Sequence, residues 1–403
     1  MQVALRVSLS DSHVDSRSTK SQRQILVAAK ALGHERLPVN LCLVLDHSGS
    51  MAGTPLERLQ QASLRLIDRL QSGDRLSIVA FNHFATALVP HQSIVDPAAI
   101  KQKVLNLRAD GGTAIDEGLK LGIEELAKGN QGAVSQIFLL TDGENEHGDN
   151  HRCLKLASLA PEHNITMHTL GFGSNWNQQI LEQVADAGGG SLRYIESPNQ
   201  IDTEFARLFD RLQAVGITNT YVRLCPGPQF SLATHKPFAQ VQPDTIELSH
   251  SSEAKSWIVR LGDLLTSQEK QVLINCYIAR LPVGANTIAT LQICSGQSPL
   301  TPEQPIVVQA QTPYQSNPDP LVQNAVLTLA KYRQAQMAEL KLQQGDRQAA
   351  VTLLQSAAQT ARQIGDFQGA MVLSASATQL QAGQELSPIT RKKTLIVSKT
   401  FIQ

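Results

Sequence analysis

Asp46, Ser48 and Ser50 stand two residues apart in the stretch Asp46-His47-Ser48-Gly49-Ser50-Met51. They offer only oxygen, as one carboxylate and two hydroxyls. Such a set suits a hard divalent cation, and magnesium takes oxygen ligands at near-octahedral geometry while keeping some water. Three ligands from one turn leave coordination positions open, so the set must recruit from elsewhere. Two later stretches fit. Asp110-Gly111-Gly112-Thr113 opens a helical pattern and offers the Thr113 hydroxyl; Ile137-Phe138-Leu139-Leu140-Thr141-Asp142-Gly143 is an apolar run ending in the Asp142 carboxylate. The five candidate ligands are therefore Asp46, Ser48, Ser50, Thr113 and Asp142. Taken alone, the first triplet is equally well explained as a helix N-cap with incidental serines. Together with Thr113 and Asp142 in suitable context, the cation reading prevails.

These residues need elements to position them. The run 39–45 is apolar and β-branched, as a parallel strand covered on both faces must be. After Pro55, Leu56, Leu59, Ala62, Leu66 and Leu70 recur at helical spacing. A strand, a polar turn and a helix in succession form the α/β arrangement whose ligand site lies at the carboxyl ends of the strands. Strand and helix patterns then alternate to residue 213, with strands at 75–81, 85–89, 137–141, 165–170 and 191–195. Helices are expected at 97–107, 113–127, 153–159, 180–187 and 200–212. The sheet reads as mostly parallel, with 85–89 antiparallel at an edge.

Asp46-x-Ser48-x-Ser50, Gly112-Thr113 and Thr141-Asp142-Gly143 together resemble the metal-ion-dependent adhesion site of von Willebrand factor A-type (VWA) domains. The resemblance covers residues 38–213. It implies a Rossmann-like sheet with helices on both faces. It also implies Mg2+, with Ca2+ or Mn2+ as alternatives, held by Ser48, Ser50 and Thr113, with Asp46 and Asp142 bound directly or through water. In that family a partner protein's Asp or Glu often fills the open metal position.

The 403 residues leave room for two or three domains. With 35 basic and 35 acidic residues the charge is balanced, which argues against a phosphate-backbone binder; aromatics at 4% argue against base stacking. Nucleic acid is therefore not an expected partner. Cys42, Cys153, Cys225, Cys276 and Cys294 are dispersed without metal or redox spacing, as buried thiols in a reducing compartment would be. No apolar signal core and no membrane-spanning run occurs, so a cytoplasmic protein is expected. His147, His151, His163 and His168 lack zinc spacing and read as loop histidines on a solvated face. His47 should point away from the cation, because the ligands occupy the alternate positions. No nucleophile elbow and no phosphate-binding P-loop is present.

Outside the α/β region the period changes. Val3, Leu5, Val7 and Leu9 alternate, 25–29 is a second strand, and 11–22 reads as a loop. From 221 to 293 six short strands are parted by Pro, Gly, Ser and Asp, as in a β-sandwich. The expected domains are 1–36 (strands joining the sandwich), 37–215 (the VWA domain), 216–315 (the sandwich), 316–385 (a helical bundle) and 386–403 (an extended tail). In the bundle, Gly345-Asp346 and Gly365-Asp366 each supply a helix stop followed by an N-cap. They resemble the junctions of a degenerate tetratricopeptide-type hairpin, although the bundle is equally read as packing on the sandwich. In the tail, Leu395, Val397 and Phe401 alternate, which suits an edge strand. The basic triplet Arg391-Lys392-Lys393 before Thr394 instead suggests a phosphorylated Thr394 docked on a phosphothreonine reader.

The function expected from these readings is a non-catalytic, Mg2+-dependent protein-interaction module taking a partner's acidic residue. A substrate-gripping accessory subunit of an AAA+ ATPase machine is the second reading. A metal-dependent hydrolase is the third; it lacks a convincing general base, since Glu144 and Asp116 read as surface or helix-turn residues.

Overall fold

The computed structural model describes residues 2–33, 36–129 and 132–400. The chain forms two compact units, one from residues 34–218 and one from 1–33 with 219–403.

The chain opens with β1 (Gln2–Leu9), β2 (His13–Asp15) and β3 (Lys20–Leu32), all belonging to the second unit. The first unit then runs through β4 (Val39–Asp46), α1 (Thr54–Arg69), β5 (Arg75–Phe81), β6 (Ala85–Ser93), α2 (Pro97–Leu105) and α3 (Ile115–Ala127). It continues with β7 (Val134–Thr141), α4 (Asn150–Leu159), β8 (Ile165–Phe172), α5 (Gln178–Ala187), β9 (Gly189–Ile195) and α6 (Ile201–Gln213). Its sheet has the order β6-β5-β4-β7-β8-β9, parallel except for β6 at one edge. Strands β4, β7 and β8 are buried along their whole length, which is why they read as continuous apolar runs instead of alternating ones. Helices α1, α2 and α6 pack together, and α3, α4 and α5 form a separate group. This is the expected VWA-like α/β fold.

β10 (Val215–Pro226) carries the chain from the first unit into the second, where β11 (Phe230–Leu232), β12 (Phe238–Gln242), β13 (Ile246–Leu248) and β14 (Ser251–Glu253) follow. Next come β15 (Ser256–Leu265), β16 (Lys270–Ala279), β17 (Gly284–Ser295), β18 (Ser298–Pro299) and β19 (Gln304–Gln311). They make two sheets. One has the order β1-β3-β16-β12-β13, with β11 also on β16; the other has the order β14-β15-β10-β17-β19-β2, with β18 also on β17. Strands from the start of the chain thus enter both sheets. The 11–22 stretch is not the loop its polarity suggests. His13–Asp15 pairs in parallel with β19, and Lys20–Gln24 continue the ladder of β3 on β16. Backbone bonds hold these residues, and Val14 is the single apolar side chain that 11–22 buries, too few to set a strand period.

Four helices close the chain: α7 (Pro320–Gln343), α8 (Arg347–Gln363), α9 (Phe367–Gln381) and α10 (Pro388–Lys399). Asp346 and Asp366 cap α8 and α9 through the N–H groups of Ala349 and Gly369. Val322, Ala325, Leu329 and Tyr332 of α7 bury against Leu26, Ala239, Val241 and Leu273 of the first sheet. The far side of α7 joins α8, α9 and α10 in an alanine- and leucine-rich core.

The tail corrects the sequence reading. Residues 388–399 are helical, not extended, and the bundle runs on past 385. Ser387 caps the helix through the Thr390 N–H. Arg391 is bound by both carboxylate oxygens of Glu339, and Val397 enters the core. Thr394 is only 4% exposed. Its hydroxyl lies 2.7 Å from the Ser376 hydroxyl and donates to the Thr390 carbonyl at 2.7 Å. A kinase cannot reach it there, and a phosphate has no room, so the phosphothreonine-reader reading is withdrawn. After the helix Thr400 is extended and bridges Asp244. Phe401 lies outside the described residues. Among the described residues no helix is long and apolar enough to cross a membrane.

Candidate metal centre

Register brings the two carboxylates together. Leu45 of β4 faces Leu140 of β7, so the next pair up the ladder is Asp46 and Thr141, with Asp142 immediately beyond. The Thr141 hydroxyl donates to Asp46 Oδ2 at 2.5 Å, and the Ser48 N–H donates to Asp46 Oδ1 at 2.8 Å. Asp46 is thereby fixed at the root of the loop.

The hydroxyls converge from there. Ser48 Oγ lies 3.1 Å from Ser50 Oγ, and Ser50 Oγ donates to Asp142 Oδ1 at 2.7 Å. Thr113 reaches the same place from the loop before α3: a Cβ on Gly143 would meet Thr113 Oγ1 at 3.1 Å. All five sequence candidates therefore come together. Asp46, Ser48, Thr113 and Asp142 are buried, and Ser50 is exposed at the mouth.

Two glycines allow the loops to meet. Gly111 has φ +75°, in the left-handed region that favours glycine, and its carbonyl accepts from the Gly49 N–H at 2.8 Å. A Cβ on Gly112 would lie 2.1 Å from the His147 ring. Further backbone bonds lock the loops: Asp110 N–H to the His47 carbonyl at 2.9 Å, and Ala114 N–H to the Asn82 carbonyl at 2.7 Å. His47 turns away, with Nδ1 2.9 Å from the Arg108 carbonyl.

The electrostatics favour a cation. Burial raises the Asp46 carboxyl above the usual carboxylate range, against the pull of hydrogen bonds from Ser48 and Thr141. Burial likewise pushes Asp142 up to about 6; the Ser50 bond opposes this, and the Asp46 charge adds to it. Among the described residues no lysine or arginine pairs with either carboxylate. Two buried, mutually repelling carboxylates ringed by three hydroxyls are a donor set that Mg2+ fits. Among the described residues, no three His, Cys, Asp or Glu side chains cluster in a way that could hold a metal ion, so a cation at Asp46 and Asp142 would need the hydroxyls as further ligands.

Several residues escaped the sequence reading. Thr141 was visible in its motif, and the period-two register could have assigned it to Asp46. Asn82, His83 and His147 carry no local signal, since only the loop packing brings them to the rim. His168 is not a solvated loop histidine. It is 2% exposed within β8, with Nδ1 near both the hydroxyl and the N–H of Ser191 and its ring edge-on to Phe138. Asp116 is likewise buried, on the first turn of α3, where it accepts from Arg152 at 2.8 Å.

Comparison with known proteins accords with this geometry. A family model described as the von Willebrand factor type A domain matches residues 40–207, and one described as the Sll0103-like C-terminal alpha-helical domain matches 320–403. The Synechocystis sp. protein sll0103 is 52% identical over 412 residues, spanning 100% of this chain and 98% of the relative. Escherichia coli YfbK is 32% identical over 185 residues, which is 44% of this chain but 32% of YfbK. Among solved structures, a von Willebrand factor type A protein from Catenulispora acidiphila superposes with TM-score 0.84 at 17% identity, covering 100% of this chain and 97% of that one. The ArnB paralog VWA2 from Sulfolobus acidocaldarius gives 0.61 at 14% identity, covering 99% and 97%. The solved structures share the fold; the full-length match at 52% identity shows the family, and the chain belongs to that of sll0103, a VWA domain followed by an Sll0103-like C-terminal helical domain.

Proposed function

We propose that this chain is a non-catalytic protein-interaction module whose binding depends on Mg2+ held by Asp46, Ser48, Ser50, Thr113 and Asp142. The observation that carries the reading is the pair of buried carboxylates, Asp46 and Asp142, converging on three hydroxyls without a basic partner among the described residues. When bound, the cation would neutralise this pair and offer an open position to an oxygen ligand. Asp46, pinned by Thr141 and the Ser48 backbone, holds the base of the site rigid. Ser50, exposed and bonded to Asp142, stands where an incoming carboxylate would arrive. A partner's Asp or Glu fits that position by charge and by its oxygen chemistry.

The test is capture of partner proteins on the full chain in Mg2+, followed by elution with EDTA, beside Asp46→Ala. Partners should elute with the chelator and be missing from the variant. A set retained equally in all conditions would remove the metal from the mechanism.

A further inference from the structure

Phe84 stands 78% exposed at the turn between β5 and β6. A lone exposed apolar residue is ordinary on a protein surface. Phe84 differs in how firmly its turn is held and in what holds it. Its carbonyl accepts from the Asn82 N–H at 3.0 Å, and its own N–H donates to Asn82 Oδ1 at 3.1 Å. Asn82 in turn donates to the Asp110 carbonyl at 3.1 Å and accepts from the Ala114 N–H. His83, next to Phe84, accepts from the Gly112 N–H at Nδ1, at 2.9 Å. Every one of these bonds joins the turn to itself or to the loop that carries Thr113.

The rim continues through His83. Its ring leans on that of His147, with centroids 4.2 Å apart and planes tilted by 32°, and the His147 backbone N–H donates to the Thr113 carbonyl at 3.0 Å. Phe84, His83 and His147 are all exposed and form a rigid shelf continuous with the metal centre. The charges on the neighbouring loops add a further constraint. Asp110, Glu144 and Glu146 are exposed; Arg108, also exposed, directs its guanidinium to the carbonyls of Leu105 and Leu107, so the acids outnumber it.

We propose that Phe84, with the His83–His147 pair, is the specificity-determining shelf of the metal centre: beside the carboxylate bound there, it takes an apolar side chain of the partner, in a segment otherwise neutral or basic. This rests on the metal-dependent reading above and adds the partner's chemistry to it. An aromatic on a turn whose backbone is already fixed, beside a polar anchor, suits an interface hot spot, because no loop has to be ordered on docking. The exposed rim carboxylates repel a second acidic residue, so the acid on the cation should stand alone in its segment.

The experiment is selection of a random-peptide phage library on the full chain in Mg2+, repeated on Phe84→Ser and Phe84→Leu. Selected sequences should carry one Asp or Glu with an apolar residue at a constant offset and few further acids. A synthetic selected peptide should bind Phe84→Ser about tenfold more weakly by fluorescence anisotropy, with Phe84→Leu close to the parent. EDTA should release it from all three. Unchanged sequences and affinity on Phe84→Ser would overturn the shelf and leave the metal reading intact. Selected peptides that lack a carboxylate, or that bind equally in EDTA, would overturn the metal reading and the shelf with it. A selection yielding no Mg2+-dependent sequence would overturn both.

Discussion

Ser50 Oγ donates a 2.7 Å hydrogen bond to Asp142 Oδ1, joining two loops that are 92 residues apart in the chain. One hydroxyl thereby links the turn after β4 to the end of β7. It relieves part of the cost of burying Asp142, which still stands well above the usual carboxylate range. A cation placed among these oxygens would relieve the rest.

The first prediction follows from that cost. A ligand bound by the native state alone stabilises it by about 2.7 kcal/mol at a hundredfold excess over Kd. Mg2+ should therefore raise the melting temperature of the native protein, and EDTA should reverse the rise. Asp46→Ala and Asp142→Ala should show no rise, and Ser50→Ala a smaller one. Differential scanning calorimetry reads the effect; an equal rise in the two aspartate variants would place the ion elsewhere.

Asp11 gives a pH prediction. Burial works to raise its pKa. The Tyr314 hydroxyl, the His13 N–H, Ser316 and the Asn317 N–H together outweigh burial and hold it below the usual range. These bonds tie the segment after β19 to the turn between β1 and β2. A folded pKa below the unfolded one means that the native state binds fewer protons in acid. The stabilisation is fully present above the unfolded value, about 3.9, and is lost as pH falls through the folded value. Asp11→Asn should cost roughly 1–3 kcal/mol near neutrality. The gap to the parent should close in acid, as urea unfolding over a pH series would show. A gap of constant size from neutral to strongly acid solution would refute the assignment.

The third prediction concerns Lys331, whose side chain is 1% exposed and whose partner Asp366 is fully buried. The ammonium donates to Asp366 Oδ2 at 2.7 Å and to the Val397 carbonyl at 2.9 Å, joining α7, the start of α9 and α10. Burial pulls the lysine pKa down, and the Asp366 carboxylate pulls it back up. Lys331→Met would leave that carboxylate buried and uncompensated, at a cost of about 3–5 kcal/mol. Adding Asp366→Asn removes the stranded charge and keeps a capping oxygen for α9. The double variant should be more stable than Lys331→Met alone. Strict additivity of the two losses in a double-mutant cycle would show that the pair is not coupled.

The sequence by itself determined the centre of the α/β unit. A strand buried on both faces must be apolar throughout, so 39–45 and 137–141 announced themselves, and each was followed by a carboxylate at the carboxyl ends of the strands, where α/β sheets bind ligands. The hydroxyls and glycines of Ser48, Ser50 and Gly112-Thr113 are local requirements of the loops, and local requirements are written locally. Tertiary structure decided the rest. Strand β2 buries only Val14, and the first residues of β3 are polar; backbone bonding to β19 and β16 holds them, and no side-chain pattern records a backbone partner. The tail is helical because α7 and α9 present a cleft that buries Thr394 and Val397; a helix as short as α10 is not stable by itself, so its own residues could not declare it. Asn82, His83, Phe84 and His147 became a rim only once the loops after β5, β7 and α2 had packed against each other. Chemistry confined to one turn was legible along the chain, whereas chemistry assembled from distant turns waited on the register of the sheet that carries them.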